Sequence, residues 1–236
     1  MLIVVVLAVA MVAPAFHDAI AESPGTIHLP DLRTKAPRDL RISKSNGLKL
    51  LQLSNEVWNG GDGPLDLRAE NSGTTTNAYQ RLMTHDANGA WTAVSERLAG
   101  TFAFHSAHDH WHFEDFAKYE LRANTNGLPG ALLRSGGKTS FCIIDTTQVD
   151  TALPHAMPRT YSTCTRTSTQ GLAVGWSDTY LYYLAGQSID VTGLANGVYW
   201  LVSTADPSDH VLETDETNNA AQLKIRIRRN RVTVLR

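Results

Sequence analysis

Apolar and polar residues alternate along this chain in short runs, and no stretch after residue 21 sustains a helical period. Val198, Trp200 and Val202 alternate with Tyr199, Leu201 and Ser203 behind the turn Ala195-Asn196-Gly197. Leu223, Ile225 and Ile227 alternate with Lys224, Arg226 and Arg228, the pattern of a strand with one face in water. Residues 48–58 read as one or two strands and run into Asn59-Gly60-Gly61-Asp62-Gly63-Pro64, a dense set of turn formers. Gly136-Gly137 precedes another apolar run at 139–144, and residues 188–191 form a short strand before Gly193. Residues 147–170 are rich in Thr, Ser and Pro and read as loop. Many short strands with regular punctuation predict an all-β chain, a β-sandwich with long connecting loops in a single domain. No internal repeat or linker divides it.

The start of the chain breaks this pattern. Residues 2–13 are an unbroken apolar run, too short for a spanning helix of about 20 residues and suited to the core of a secretory signal. Ala19 and Ala21 frame a cleavage site before Glu22, with Ala13 and Ala15 as an earlier alternative. No Lys or Arg precedes the run, so a start further upstream or an uncleaved anchor is the competing reading. The expectation is a signal peptide over 1–21, a mature domain over 22–236, export, and no membrane attachment once the signal is removed. Export implies an oxidising compartment in which Cys142 and Cys164 could pair.

Composition adds limits. With 236 residues and 42% hydrophobic, the chain can bury a full core. A net charge of -2 gives no general reason to bind nucleic acid. The basic tail (Lys224, Arg226, Arg228, Arg229, Arg231 and Arg236) reads as the polar face of a terminal strand before it reads as a patch for an anionic partner.

The histidines are the exception. Four of 9 lie between positions 105 and 112, in F-H-S-A-H-D-H-W-H-F-E. His108, His110 and His112 stand at alternate positions, which on an extended strand point the same way and on a helix would scatter. At ~3.3 Å per residue the outer pair would lie about 13 Å apart on a straight strand. A ring nitrogen binds metal at ~2 Å, so the spacing also predicts a bend or bulge. Neutral imidazoles suit Cu, Zn, Ni or Fe over Ca or Mg, and spacing does not choose among the first four. His105 is placed to assist, as a further ligand partner or an acid/base group.

Here the residues resemble the lysyl oxidase family. H-S-A-H-D-H-W-H, then E-D-F at 114–116 and Y-E-L at 119–121, is similar to the family's copper segment. G-K-T-S-F-C followed by Asp145-Thr146, then T-Q-G-L at 169–172 and G-W-S-D-T-Y at 175–180, resemble later family motifs in the same order. E-T-D-E-T-N-N at 213–219 resembles a last one. The resemblance implies His108, His110 and His112 as copper ligands. It implies Lys138 and Tyr180 as the pair that forms lysine tyrosylquinone from the chain itself. The implied reaction is oxidative deamination of primary amines, peptidyl lysine or small amines, to aldehydes with release of ammonia and hydrogen peroxide. The general base stays open, with His105 and Asp178 as candidates. Tyr182 and Tyr183 lie close to Tyr180, but D-T-Y favours Tyr180.

The resemblance further implies a Ca²⁺ site from Glu213, Asp215, Asn218 and Asn219, joined by the Asp31 carboxylate and the Leu32 carbonyl of P-D-L. On chemistry alone the 213–219 stretch reads as an Asx-rich turn. Cys142 and Cys164 match two family cysteines, and a disulfide between them is expected. Two departures stand out: Gly137 replaces a histidine before the lysine, and the interval from Lys138 to Tyr180 is longer around 153–163, which could hold the two apart. The leading expectation is a secreted copper amine oxidase. The alternative is a non-catalytic copper-binding β-sandwich module, and a zinc hydrolase with Glu114 as base ranks last.

Overall fold

The computed structural model describes residues 25–70 and 73–235, and within them the chain forms strands and turns. No helix among the described residues is long and apolar enough to cross a membrane. The leader expected over residues 1–21 lies outside the described residues.

The strands, numbered in chain order, form three antiparallel sheets. The first orders β12 (Gln170–Leu172), β5 (Leu65–Ala69), β6 (Thr75–His85), β7 (Trp91–His105) and β8 (His110–Phe113), with β1 (Ile27–His28) paired to β6. The second orders β10 (Leu128–Ser135), β9 (Ala117–Thr125), β15 (Gly197–Ala205), β16 (Ala220–Arg228) and β17 (Arg231–Val234). The third is built on β4 (Leu48–Asn59). The first half of β4 pairs with β3 (Arg38–Ser45) and β14 (Ser188–Asp190). Its second half pairs with β2 (Leu32–Thr34) and with β13 (Trp176–Tyr180), which carries β11 (Thr147–Gln148) on its other side.

One core joins all three sheets. Leu51, Leu53 and Val57 of β4 meet Tyr119 and Leu121 of β9, Leu201 of β15, Ile225 and Ile227 of β16, and Phe102 and Phe113 of the first sheet. The alternation read from sequence survives, with an instructive choice of face. In β15 the buried set is Tyr199, Leu201, Ser203 and Ala205, while Val198, Trp200 and Val202 stay half-buried. Ser203 tolerates the core because its hydroxyl donates to Asn55 Oδ1 at 2.7 Å.

Local expectations change: the stretch read as loop over 147–170 contributes β11 at its start and the first residue of β12 at its end. Residues 139–144 make one isolated bridge, Phe113 to Phe141, instead of a strand. Phe141, Cys142 and Ile143 are buried in succession, so this segment is covered on both sides and has no free face. Its backbone bonds go to Phe113 (2.7 and 3.0 Å) and, from Ile143 N–H, to the Gln170 side chain (2.9 Å). The β6–β7 hairpin was not legible as strands. Register shifts interrupt its ladder at Asn77/Tyr79 and Leu82/Met83, and most of the first half of β7 is exposed, so no apolar alternation marks it.

Candidate active site

The histidines sit on a hairpin, which corrects the single extended segment expected from their spacing. β7 ends at His105, residues 106–109 turn, and β8 begins at His110. His108 is therefore on the turn, its N–H donating to the His105 carbonyl at 3.0 Å, and Asp109 carries a left-handed φ of 58°. This is the bend that metal-nitrogen distances require. His110 and His112 follow on β8, opposite His105 and Ala103. The triad's ring centroids lie 5.4, 5.9 and 5.0 Å apart, and one ring nitrogen from each lies within 4.8 Å of the others. The His110 and His112 Nε2 atoms are 3.0 Å apart.

Burial and the neighbouring imidazole of His110 push His112 down to about 3, and burial also lowers His110. Both are held neutral, the form that offers a lone pair to a metal. The donor set fits copper, as borderline nitrogen donors whose ring nitrogens lie close enough to converge on one ion. His105 is exposed and stacks on His108 at 4.2 Å and on His112 at 4.8 Å. Glu114, the residue a zinc hydrolase would need, instead accepts from Thr101 Oγ1 at 2.6 Å. Of the other described histidines, His28, His85 and His155 cluster with Trp91 well away in the chain, and His210 packs on Phe113.

A cavity of about 320 Å³ is lined by the three imidazoles, Lys138, Asp178, Tyr180, Ile144, Leu184 and both cysteines. The longer interval does not separate the lysine from the tyrosine: Lys138 Nζ stands 4.9 Å from the Tyr180 ring centroid. The Tyr180 hydroxyl donates to the Cys142 carbonyl at 2.6 Å, which fixes the ring. Phe141, unremarked in the sequence, sets its ring 4.5 Å from that of Tyr180 and 5.0 Å from Lys138 Nζ. Nothing in its residue type marks it, because an aromatic in an apolar run reads as core.

Burial lowers the Lys138 ammonium, with the Asp178 charge opposing. Burial raises Asp178 well above the carboxylate range, and burial together with Asp178 raises the Tyr180 phenol. A lysine shifted toward the free amine is a better nucleophile, and a buried carboxyl with raised proton affinity can hold a proton beside it.

Cys142 and Cys164 are disulfide-bonded, with Cα atoms 6.1 Å apart. The bridge ties the segment after Lys138 to the long loop, and both residues face the cavity.

Some of the residues expected at a second cation site are brought into contact. Leu32 N–H donates to Glu213 Oε2, Thr214 N–H donates to the Pro30 carbonyl at 2.9 Å, and Asn219 Nδ2 donates to Glu213 Oε1 at 2.8 Å. Buried oxygens of Asp31, Asn218 and Asn219 lack hydrogen-bond partners. Burial drives the Glu213 carboxyl up to about 9, with Glu216 and Asp206 nearby adding to it. Buried oxygens without a hydrogen-bond partner are of the donor type that a hard cation such as Ca²⁺ takes. Asp215 stands apart: its carboxylate accepts from Thr217 N–H and Oγ1 (2.9 and 2.6 Å) and from Asn218 (3.0 Å), the Asx turn that the sequence also allowed. Asp206 and Glu216 were not anticipated.

Residues 70–236 match the family model described as Lysyl oxidase. The chain belongs to the lysyl oxidase family. It is 36% identical over 128 residues to human protein-lysine 6-oxidase, covering 53% of this chain and 28% of that protein. It is 35% identical over 133 residues to human lysyl oxidase homolog 1, covering 56% and 21%. It is 32% identical over 133 residues to mouse lysyl oxidase homolog 4, covering 56% and 16%. The matches thus span a sixth to about a quarter of these relatives. Membership supports amine-oxidase chemistry at the level of the family.

Proposed function

We propose that this chain is a copper-dependent amine oxidase that converts primary amines, peptidyl lysine or small amines, to aldehydes. Each turnover consumes the amine, dioxygen and water and yields aldehyde, ammonia and hydrogen peroxide. The observation that carries the reading is the placement of Lys138 Nζ 4.9 Å from the Tyr180 ring, in one cavity with three converging imidazoles. In this reading His108, His110 and His112 hold Cu²⁺, and Lys138 and Tyr180 become the lysine tyrosylquinone. The quinone with copper supplies an electron sink for amine oxidation and a path for electrons to dioxygen. The chain's own residues do the rest. The Cys142 carbonyl and the Phe141 ring hold Tyr180 in place. Ile144 and Leu184 line the cavity with apolar surface. Asp178, buried in the same cavity as Lys138 and Tyr180, holds a proton at its carboxyl, and His105, stacked on His108 and His112, is the alternative. Asp31, Glu213, Asp215, Asn218 and Asn219 with the Leu32 carbonyl hold Ca²⁺, clasping the 29–32 segment to the turn before β16. Export rests on the apolar run at 2–13 and on the disulfide, with the domain over 22–236.

A non-catalytic copper module would share the triad and differ only at Lys138 and Tyr180. Aerobic copper loading followed by intact-mass analysis and quinone staining separates the two. The enzyme reading expects a modified Tyr180 in the wild type. It expects Lys138→Ala to keep copper while losing the stain and peroxide release from a simple amine. An unmodified Tyr180 in the copper-loaded wild type would replace the enzyme with the module.

A further inference from the structure

The disulfide shares the cavity with the triad, and a ring nitrogen of His110 lies within 4.8 Å of both sulfurs. As cystine, those sulfurs are weak donors; thiolates are the ligand form. We propose that in the dithiol state Cys142, Cys164 and His110 form a separate metal site for a thiophilic d¹⁰ ion, Zn²⁺ or Cu⁺. The two sites share His110, so closing the disulfide leaves its imidazole to the all-imidazole site. The step balances: the S–S bond breaks, the cystine takes two electrons and two protons, and a dithiol donor becomes its own disulfide. The two thiols then give up their protons as the ion binds.

Both cysteines must stay beside His110 when the bond is open, and other contacts hold them there. Arg166, two residues past Cys164, donates to Asp109 in the histidine turn at 2.9 and 2.6 Å, and its carbonyl accepts from Trp111 Nε1 at 3.1 Å. Upstream, the N–H groups of Thr160 and Tyr161 donate to Asp145 at 2.8 and 2.9 Å. Downstream, Gln170 Nε2 donates to the Trp111 carbonyl at 2.7 Å. Cys142 is held by the Phe141–Phe113 bridge and by the Tyr180 hydroxyl on its carbonyl. The loop carrying Cys164 is therefore fastened to the histidine hairpin without the disulfide. Three donors within 4.8 Å can meet one ion at ~2.0–2.3 Å by side-chain rotation. Two thiolates and one imidazole, with water as a fourth ligand, suit a tetrahedral ion, and thiolate favours Zn²⁺ or Cu⁺ over Cu²⁺.

This site shares His110 with the copper site proposed above, but needs neither the crosslink nor oxidase activity. The test uses the full chain, oxidised or reduced with a phosphine (oxidised to its oxide as water supplies the oxygen) and desalted without air. Co²⁺ serves as the optical probe and Zn²⁺ gives the stoichiometry by native mass. The reduced chain is expected to bind one Co²⁺ with a thiolate-to-cobalt charge-transfer band, and the oxidised chain to bind one without it. Reduced His110→Ala should bind at least about tenfold more weakly, the loss seen even for partners of ligands. Reduced His108→Ala should keep both band and affinity. A folded reduced chain without the band overturns the proposal, as does an undiminished band in reduced His110→Ala. So does a reduced chain that loses its far-ultraviolet sheet signal even with metal added. Tight Co²⁺ binding by oxidised His108→Ala would instead remove the imidazole triad and leave the dithiol site standing.

Discussion

Gly186 leaves the Lys138 stem no spare room, and filling that space tests whether the lysine's position matters. Its φ is +82°, and a Cβ built there would lie 2.8 Å from the Lys138 Cβ and 3.1 Å from its Cδ. Ordinary contact begins at 3.4 Å, so in Gly186→Ala the stem must retreat by roughly 0.6 Å, or the backbone must give. A left-handed alanine costs about 1–2 kcal/mol and the overpacking about 1–3 kcal/mol more. Gly193→Ala is the control. Its φ is +71° with nothing within 4 Å of the new Cβ, so it carries the conformational cost alone. Displacement of a reacting group by an ångström can cost about a hundredfold in rate, so a shift of about half that should slow crosslinking by about tenfold. The assay is a time course of quinone staining and intact mass after aerobic copper addition, beside thermal melts of both variants. Gly186→Ala should bind copper normally, melt below Gly193→Ala and form quinone more slowly. If the two variants melt together and crosslink at one rate, the packing of Gly186 on Lys138 does not position the amine.

Asp145 is fully buried and accepts the N–H groups of Thr160, Tyr161 and Ala173 at 2.8–2.9 Å. Asp145→Ala strands the buried N–H groups of Tyr161 and Ala173 and the part-buried one of Thr160, and should lose about 2–3 kcal/mol or more in chemical denaturation; wild-type stability would refute this. In the metal-free protein His112 is lowered to about 3 from 6.5. The unfolded chain binds the extra proton between these values, so stability is intact above about pH 6.5 and falls as pH drops toward 3, by up to about 4–5 kcal/mol. The stability difference between wild type and His112→Ala should shrink across that window, and a constant difference would show that the imidazole is not held neutral. Calcium at a hundredfold excess over its Kd should stabilise by about 2.7 kcal/mol, and a chelator should reverse the shift. Melting indifferent to calcium in the wild type, or a full shift retained in Glu213→Gln, would discard the site.

Much of the chemistry was legible in the residues because its signals are local. Alternating His108, His110 and His112 announced a candidate metal set and a bend, since nitrogen–metal distances are fixed by bonding whatever the fold. The β15 and β16 alternations announced strands, since side chains in a strand point to opposite faces. The rest was hidden where local pattern and long-range cover disagree. Phe141 to Ile143 look like a strand yet are buried in succession, so their backbone partners come from Phe113, Gln170, Gly171 and the Tyr180 hydroxyl. Ser203 looks like a solvent-facing residue yet belongs to the core, because Asn55 on another sheet accepts its proton.

By itself, then, the order of residues determined the all-β class and the donor types, while the pairing of Lys138 with Tyr180 came only through the resemblance to the lysyl oxidase family. Only the tertiary structure decided distance. Lys138 leaves the second sheet, Tyr180 ends β13 in the third, and the imidazoles ride the edge of the first. They share a cavity because the three sheets close on one core. Which strand pairs with which is set by burying apolar faces from distant parts of the chain, and no local spacing encodes that closure.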